Sequence, residues 1–161
     1  MIRGLKIALV VFVALQGLMY AGQNIVNLDA AYGFVTAVLS MADHAVYPAH
    51  FGPPATAPAL IWTALWVIIA GELLIGVFGL IGAAQMGAAF GAEPERFASA
   101  CKFAFLSCGM SLFVWFGLFM VVGGAYFQMW QTPLGAASYN GAFQYALGPA
   151  AVLLFLKTPD R

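Results

Sequence analysis

Charge is what this 161-residue sequence has least of. Asp, Glu, Lys and Arg together make up 7% of it, against roughly 25% in an ordinary soluble domain. The six basic residues stand at three points only: Arg3 and Lys6, Arg96 and Lys102, Lys157 and Arg161. The stretches between those points carry no positive charge at all. With a formal net charge of zero, the chain lacks the clustered basic patch on which nucleic-acid binding rests, so nucleic acid is excluded as a partner. Cysteine is scarce as well. Cys101 and Cys108 lie at the start of and within one apolar stretch, where neither is placed for a disulfide on an oxidising side; both read as small membrane-helix residues. There is no Ser-His-Asp grouping, phosphate loop or haem-attachment motif, and the only histidines, His44 and His50, lie outside every apolar stretch. The expectation is a protein that is not an enzyme and has no catalytic residue and no cofactor.

What the chain has in abundance is apolar surface, with 63% hydrophobic residues. A soluble fold of this size could not hide so much, so lipid is the expected solvent. A bilayer core of about 30 Å needs roughly 20 helical residues, and helices are required because backbone polar groups must be satisfied inside lipid. Four spans fit: about 5–23, 58–85, 102–124 and 139–156. The first, with Arg3 and Lys6 ahead of it, also has the outline of a secretory signal, but it is read as a spanning helix. Pro58 suits a first helical turn, and Pro149 is a candidate kink in the fourth span. Crossing out and back twice puts all three basic points on one face, and basic loops favour the cytoplasm. The predicted fold is an all-α membrane protein, one integral domain over 1–161, with both termini cytoplasmic.

The connections differ. The cytoplasmic one carries Glu93-Pro94-Glu95-Arg96 and reads as a solvated turn with a helix start at Pro94. The long first outer connection has Leu28, Tyr32, Val35 and Leu39 at helical spacing, widened by Phe34, Val38 and Met41, with Asp29 in the first turn. It predicts a short amphipathic helix over about 28–42, on the membrane surface or over the bundle mouth. Tyr47-Pro48 and Pro53-Pro54 then forbid regular structure. The second outer connection, with Tyr126, Phe127, Met129 and Trp130, reads as an interfacial aromatic belt. Gly71, Gly76, Gly79, Gly82 and Ala83 in span two, and Gly109, Gly117, Gly123 and Gly124 in span three, are candidates for close helix approach. Gly79, Ala83 and Gly87 form a small-x-x-x-small series.

Glu72 is the most informative residue. It lies near the centre of span two, where an acid costs several kcal/mol unless protonated, paired or facing a watery cavity. No Lys or Arg falls at that depth in another span, so Gln16, Ser111 and Trp115 are the candidate partners. One reading makes Glu72 a proton-accepting or cation-binding site. The other, preferred from sequence, makes it a neutral, hydrogen-bonded acid that fixes the bundle or a partner helix. Asp43, His44 and His50 bring ligand types together, but at no recognised metal spacing, so no metal is expected. Asp43 and His44, with Tyr47 and Trp130, are instead candidate docking contacts.

Four stretches carry a family resemblance: Val38-Leu39-Ser40-Met41, Trp66-Val67-Ile68-Ile69-Ala70-Gly71-Glu72, Gly123-Gly124-Ala125-Tyr126-Phe127-Gln128-Met129-Trp130-Gln131 and Tyr139-Asn140-Gly141-Ala142-Phe143-Gln144. Over nearly the whole chain the sequence resembles the bacterial family of predicted small integral membrane proteins. Members often carry Trp before the membrane Glu and Glu after the Gly pair, where this chain has Gly71 and Ala125. The resemblance implies the fold and a bacterial inner membrane, and it supplies no mechanism. The expected role is an accessory or structural subunit that binds lipids and other integral membrane subunits through its helix faces. The alternatives are a small proton-coupled transporter or channel using Glu72, and a transient assembly factor that docks through its outer loop.

Overall fold

A computed structural model describes residues 1–159; Arg161, the last of the six basic residues, lies outside them. The described secondary structure is all helical. Helix α1 spans Ile2–Val26, and α2, Leu28–Ser40, follows after the single residue Asn27. Helix α3 spans Pro58–Ala88, α4 Pro94–Ala100 and α5 Lys102–Leu112. The last runs on into a π-helical segment, Phe113–Tyr126, and α6 covers Pro133–Leu156.

Three of these helical runs are long and apolar enough to cross a membrane: Ile2–Val26, Pro58–Ala88 and Lys102–Tyr126. The expected fourth span, α6, is not among them. Its first turns hold Ser138, Tyr139, Asn140 and Gln144, which dilute its apolar content. It also starts earlier than expected. Thr132 caps it by accepting from the Gly135 N–H at 3.1 Å, and Pro133 fills the first turn, a site needing no N–H.

Glycines decide how closely the helices pack. A Cβ on Gly76 would meet Leu18 of α1. One on Gly79 would lie 2.6 Å from Ala14 Cβ, and one on Gly82 would lie 2.5 Å from the Ala104 backbone nitrogen in α5. Helix α3 is therefore the centre of the bundle, touching α1 on one side and α5 on the other. Gly17 of α1, not singled out from the sequence, also sits close, since a Cβ on it would lie 2.6 Å from the Glu72 carbonyl oxygen. Gly87 and Gly109 meet nothing and carry no packing role. Such close approach is the usual basis of association where lipid removes the hydrophobic drive.

Helix α2 does not lie free on a surface. Its Val35 joins Ile61, Leu65 and Ile69 of α3 in a second core cluster, and Tyr32 stacks on Trp62 at 4.5 Å between ring centroids. In the π segment, the Phe127 N–H donates to Val122 five residues back at 2.9 Å. Long π stretches are rare and often mark functional positions. This one carries Trp115 and Phe119.

The basic points converge. Arg3 donates to the carbonyls of Phe90 and Ala92 at 2.8 and 2.6 Å. Lys6, read as a topology marker, is only 2% exposed, and its Nζ donates to the carbonyls of Leu156 and Thr158 at 3.2 and 2.6 Å. The start of α1, the 90–92 turn and the end of α6 thus sit at one end of the bundle.

Candidate functional site

The Glu72 carboxyl is fully buried, with 0% of its surface exposed. Its side chain is met by Asn24, in the last turn of α1, whose Nδ2 donates to Oε1 at 3.2 Å and to Oε2 at 2.9 Å. None of the three partners expected from the sequence takes this role. Gln16 turns its Nε2 to the Tyr145 carbonyl at 3.4 Å. Ser111 and Trp115 keep their polar atoms buried, with no hydrogen-bond partner among the described residues. The reason is register. Gly17 packs beside Glu72 and Ile75, so the α1 residue two turns further on overhangs the acid. Side chains in α3 lean towards its own start, which carries the carboxyl up to Asn24 and away from Gln16.

Around the acid stands an aromatic wall. The Tyr20 ring lies 5.0 Å from Trp115 and 4.8 Å from Tyr145, and Trp115 lies 5.2 Å from both Tyr145 and Phe119. These rings border a cavity of about 330 Å³ that also takes in Asn24 and Glu72. Its far wall is the start of α6, at Leu134, Ala137, Ser138 and Gly141. Leu134 is 58% exposed, so the cavity opens sideways there. Half-buried Asn24 lines that space beside the acid. Among the described residues the site therefore offers one carboxyl, one amide, the hydroxyls of Tyr20, Ser138 and Tyr145, and an unsatisfied indole N–H.

The second group of candidates lies in the loop between α2 and α3. The His44 and His50 rings meet edge to face at 5.4 Å, and each buries its Nδ1 without a partner among the described residues. Both rings are half-buried. Burial pushes the His44 imidazole below its ordinary value of 6.5; His50 adds to that, and the Asp43 carboxylate opposes it. Among the described residues, no three His, Cys, Asp or Glu side chains gather in a metal-binding group. Tyr47 and Trp130 pack edge to face at 5.4 Å, while Asp43 is exposed. The loop is held by Gln131, whose Oε1 accepts from the Val46 and Tyr47 N–H groups, both at 2.8 Å. Of the aromatic belt, Phe127 and Met129 are in fact buried, and Trp130 stays on the surface. Cys101 and Cys108 are both buried, and the Cys101 Sγ donates to the Phe97 carbonyl at 3.4 Å.

Over residues 2–159 the chain matches the family model described as predicted small integral membrane protein, DUF2165. The chain belongs to this family. It is accordingly an integral membrane protein that crosses the membrane more than once, as its apolar helices require. No curated protein and no solved structure matches it. What the family members do must therefore be argued from the residues of this site.

Proposed function

We propose that this protein is a small proton-coupled carrier of the bacterial inner membrane, a four-span bundle with cytoplasmic termini in which Glu72 is the coupling acid. The observation that carries this reading is the ring-walled cavity bordering a fully buried carboxyl, with no Lys, Arg or His among the described residues that line it. An acid kept at such a position is most simply explained by use. A bundle that held Glu72 only as a structural hydrogen bond would gain by packing that space with side chains, as interiors generally do.

The fourth crossing is supported by the two ends. Contacts from Arg3 and Lys6 draw the chain's start, the 90–92 turn and the end of α6 together, which calls for an even number of crossings. With 24 residues, α6 is about 36 Å long, enough for a bilayer core of about 30 Å. Basic residues gathered at that end favour the cytoplasmic side.

The accessory-subunit reading expects dry packing about Glu72, and the cavity draws support from it. Docking through Asp43, His44, Tyr47 and Trp130 keeps an exposed carboxylate and an exposed ring pair in its favour, but no built site. The test is proton flux in vesicles holding the purified chain. The carrier reading expects flux above empty vesicles and its loss in Glu72→Gln with the fold intact. Equal flux in the variant removes it.

A further inference from the structure

We infer that the ligand of this cavity is a small organic cation, an ammonium with an apolar skirt, held by Glu72 against the Tyr20, Trp115 and Tyr145 rings. This rests on the carrier reading of the same site and names its cargo.

The residues narrow the ligand class in steps. Charge comes first: among the described residues the one carboxyl bordering the cavity is Glu72, and no Lys, Arg or His lines it, so an anion would find no positive charge there. Coordination comes next. A bare metal cation such as Ca²⁺ takes six to eight oxygens, drawn from carboxylates, carbonyls and waters. Among the described residues lining this cavity, one carboxyl and the Asn24 amide are the side chains of that kind, the other oxygens being the Tyr20, Ser138 and Tyr145 hydroxyls. Size agrees, because about 330 Å³ falls at the small end of cavities that hold organic ligands. The walls then decide. Three rings whose centroids lie within 5.2 Å of one another present π-faces and edges of the kind that attract ammonium groups, most strongly when water is excluded.

Two details complete the site. Trp115 is 3% exposed and leaves its indole N–H without a partner among the described residues, a donor free for a hydroxyl or carbonyl on the ligand. Asn24 is half-buried on the cavity side and donates to both Glu72 oxygens, so its amide is the group a cation displaces. Proton and cation then compete for one carboxyl: the proton leaves to water as the cation arrives, and one positive charge replaces another. Tyr20 of α1 and Tyr145 of α6 are the other titratable groups lining the space, and both are uncharged while protonated. From α2, Phe34 faces it, and from the π segment, Trp115 and Phe119; none of these titrates.

The test is calorimetric titration of the full chain in lipid nanodiscs with choline and with benzyltrimethylammonium, using 3,3-dimethylbutan-1-ol as the uncharged analogue of choline. At least one cation should saturate one site per chain, at least tenfold tighter than the alcohol. Its affinity should fall as pH is lowered, and Glu72→Gln and Trp115→Leu should each weaken it tenfold or more. The pH dependence is read on the unaltered protein, so a variant that misfolds does not decide the matter. Binding of neither cation, equal binding of the alcohol, or affinity independent of pH from 5 to 9 would overturn the inference. Proton flux that needs Glu72 without any cation binding removes this inference alone. Absence of both flux and binding removes the carrier reading with it.

Discussion

Replacing Asn24 by leucine removes the one side chain that donates to Glu72 among the described residues, while roughly keeping the volume in the last turn of α1. The amide reaches both carboxyl oxygens, at 3.2 and 2.9 Å, and Glu72 is buried in the fold. Leaving a buried acceptor without its donor costs about 1–3 kcal/mol, so Asn24→Leu should destabilise the bundle by that amount. In a Glu72→Leu background the same change should cost almost nothing, since no polar group is then left behind. The assay is unfolding in mixed micelles of mild detergent and sodium dodecyl sulfate, followed by circular dichroism across the four-member cycle. The size of the coupling is informative. Interhelical side-chain hydrogen bonds in a membrane protein average about 0.6 kcal/mol and reach about 1.7, whereas bonds to charged groups run to about 3. A coupling above about 1.7 kcal/mol marks an ionised acceptor; one near 0.6 marks a neutral pair. Additive effects, within the roughly 0.3–0.5 kcal/mol expected of independent sites, would refute the pairing.

Three further outcomes follow from other parts of the fold. Gly82→Val should lower stability by about 1–3 kcal/mol, the usual cost of overpacking, because its Cβ would meet the Ala104 backbone at 2.5 Å, whereas Gly109→Ala, which meets nothing, should leave the same unfolding curve unmoved. The loop clasped by Gln131 should loosen in acid. The His44 value lies below its ordinary 6.5 in the fold, so the folded loop binds fewer protons than the unfolded one; its stability is full above about pH 6.5 and is lost as pH falls through the folded value. Exchange of the Val46 and Tyr47 amides, which bond Gln131, should quicken over that range, and His50→Gln should weaken the response. In right-side-out vesicles, an impermeant thiol reagent should label Thr56→Cys and spare Gly91→Cys, with the native Cys101 and Cys108 silent because both are buried; labelling of both positions from one side would contradict four crossings.

How much of this was legible in the sequence differs by residue. Glu72 stood out because a lone acid in a long apolar run is costly wherever that run folds, and its burial needs no tertiary knowledge. That Arg3 and Lys6 would fasten the 90–92 turn and the end of α6 through backbone carbonyls was not legible, since those partners lie far along the chain. Asn24 was not legible as its partner. It closes α1, near the expected end of a span, and only the seat of Gly17 against α3 reveals which α1 residue overhangs the acid. The start of α6 was readable in principle, since Thr132-Pro133 is a cap followed by a proline; the neighbouring aromatics drew the boundary to Tyr139 instead. The π segment carried no signal at all in composition. It sets the positions of Trp115 and Phe119, and with them half of the ring wall. Gln131 was likewise invisible, because its two amide partners lie some 85 residues away in a proline-rich loop.

The central claim is that the cavity gives access to Glu72. The most direct measurement is modification of the folded protein, in its native membrane, by the lipid-soluble reagent dicyclohexylcarbodiimide, with the adduct located by peptide mass spectrometry. The account predicts an adduct on Glu72, suppressed when Ser138→Trp fills the mouth beside α6. Glu72 that stays unmodified in the folded bundle, yet reacts once the protein is denatured, would show a sealed acid and contradict it.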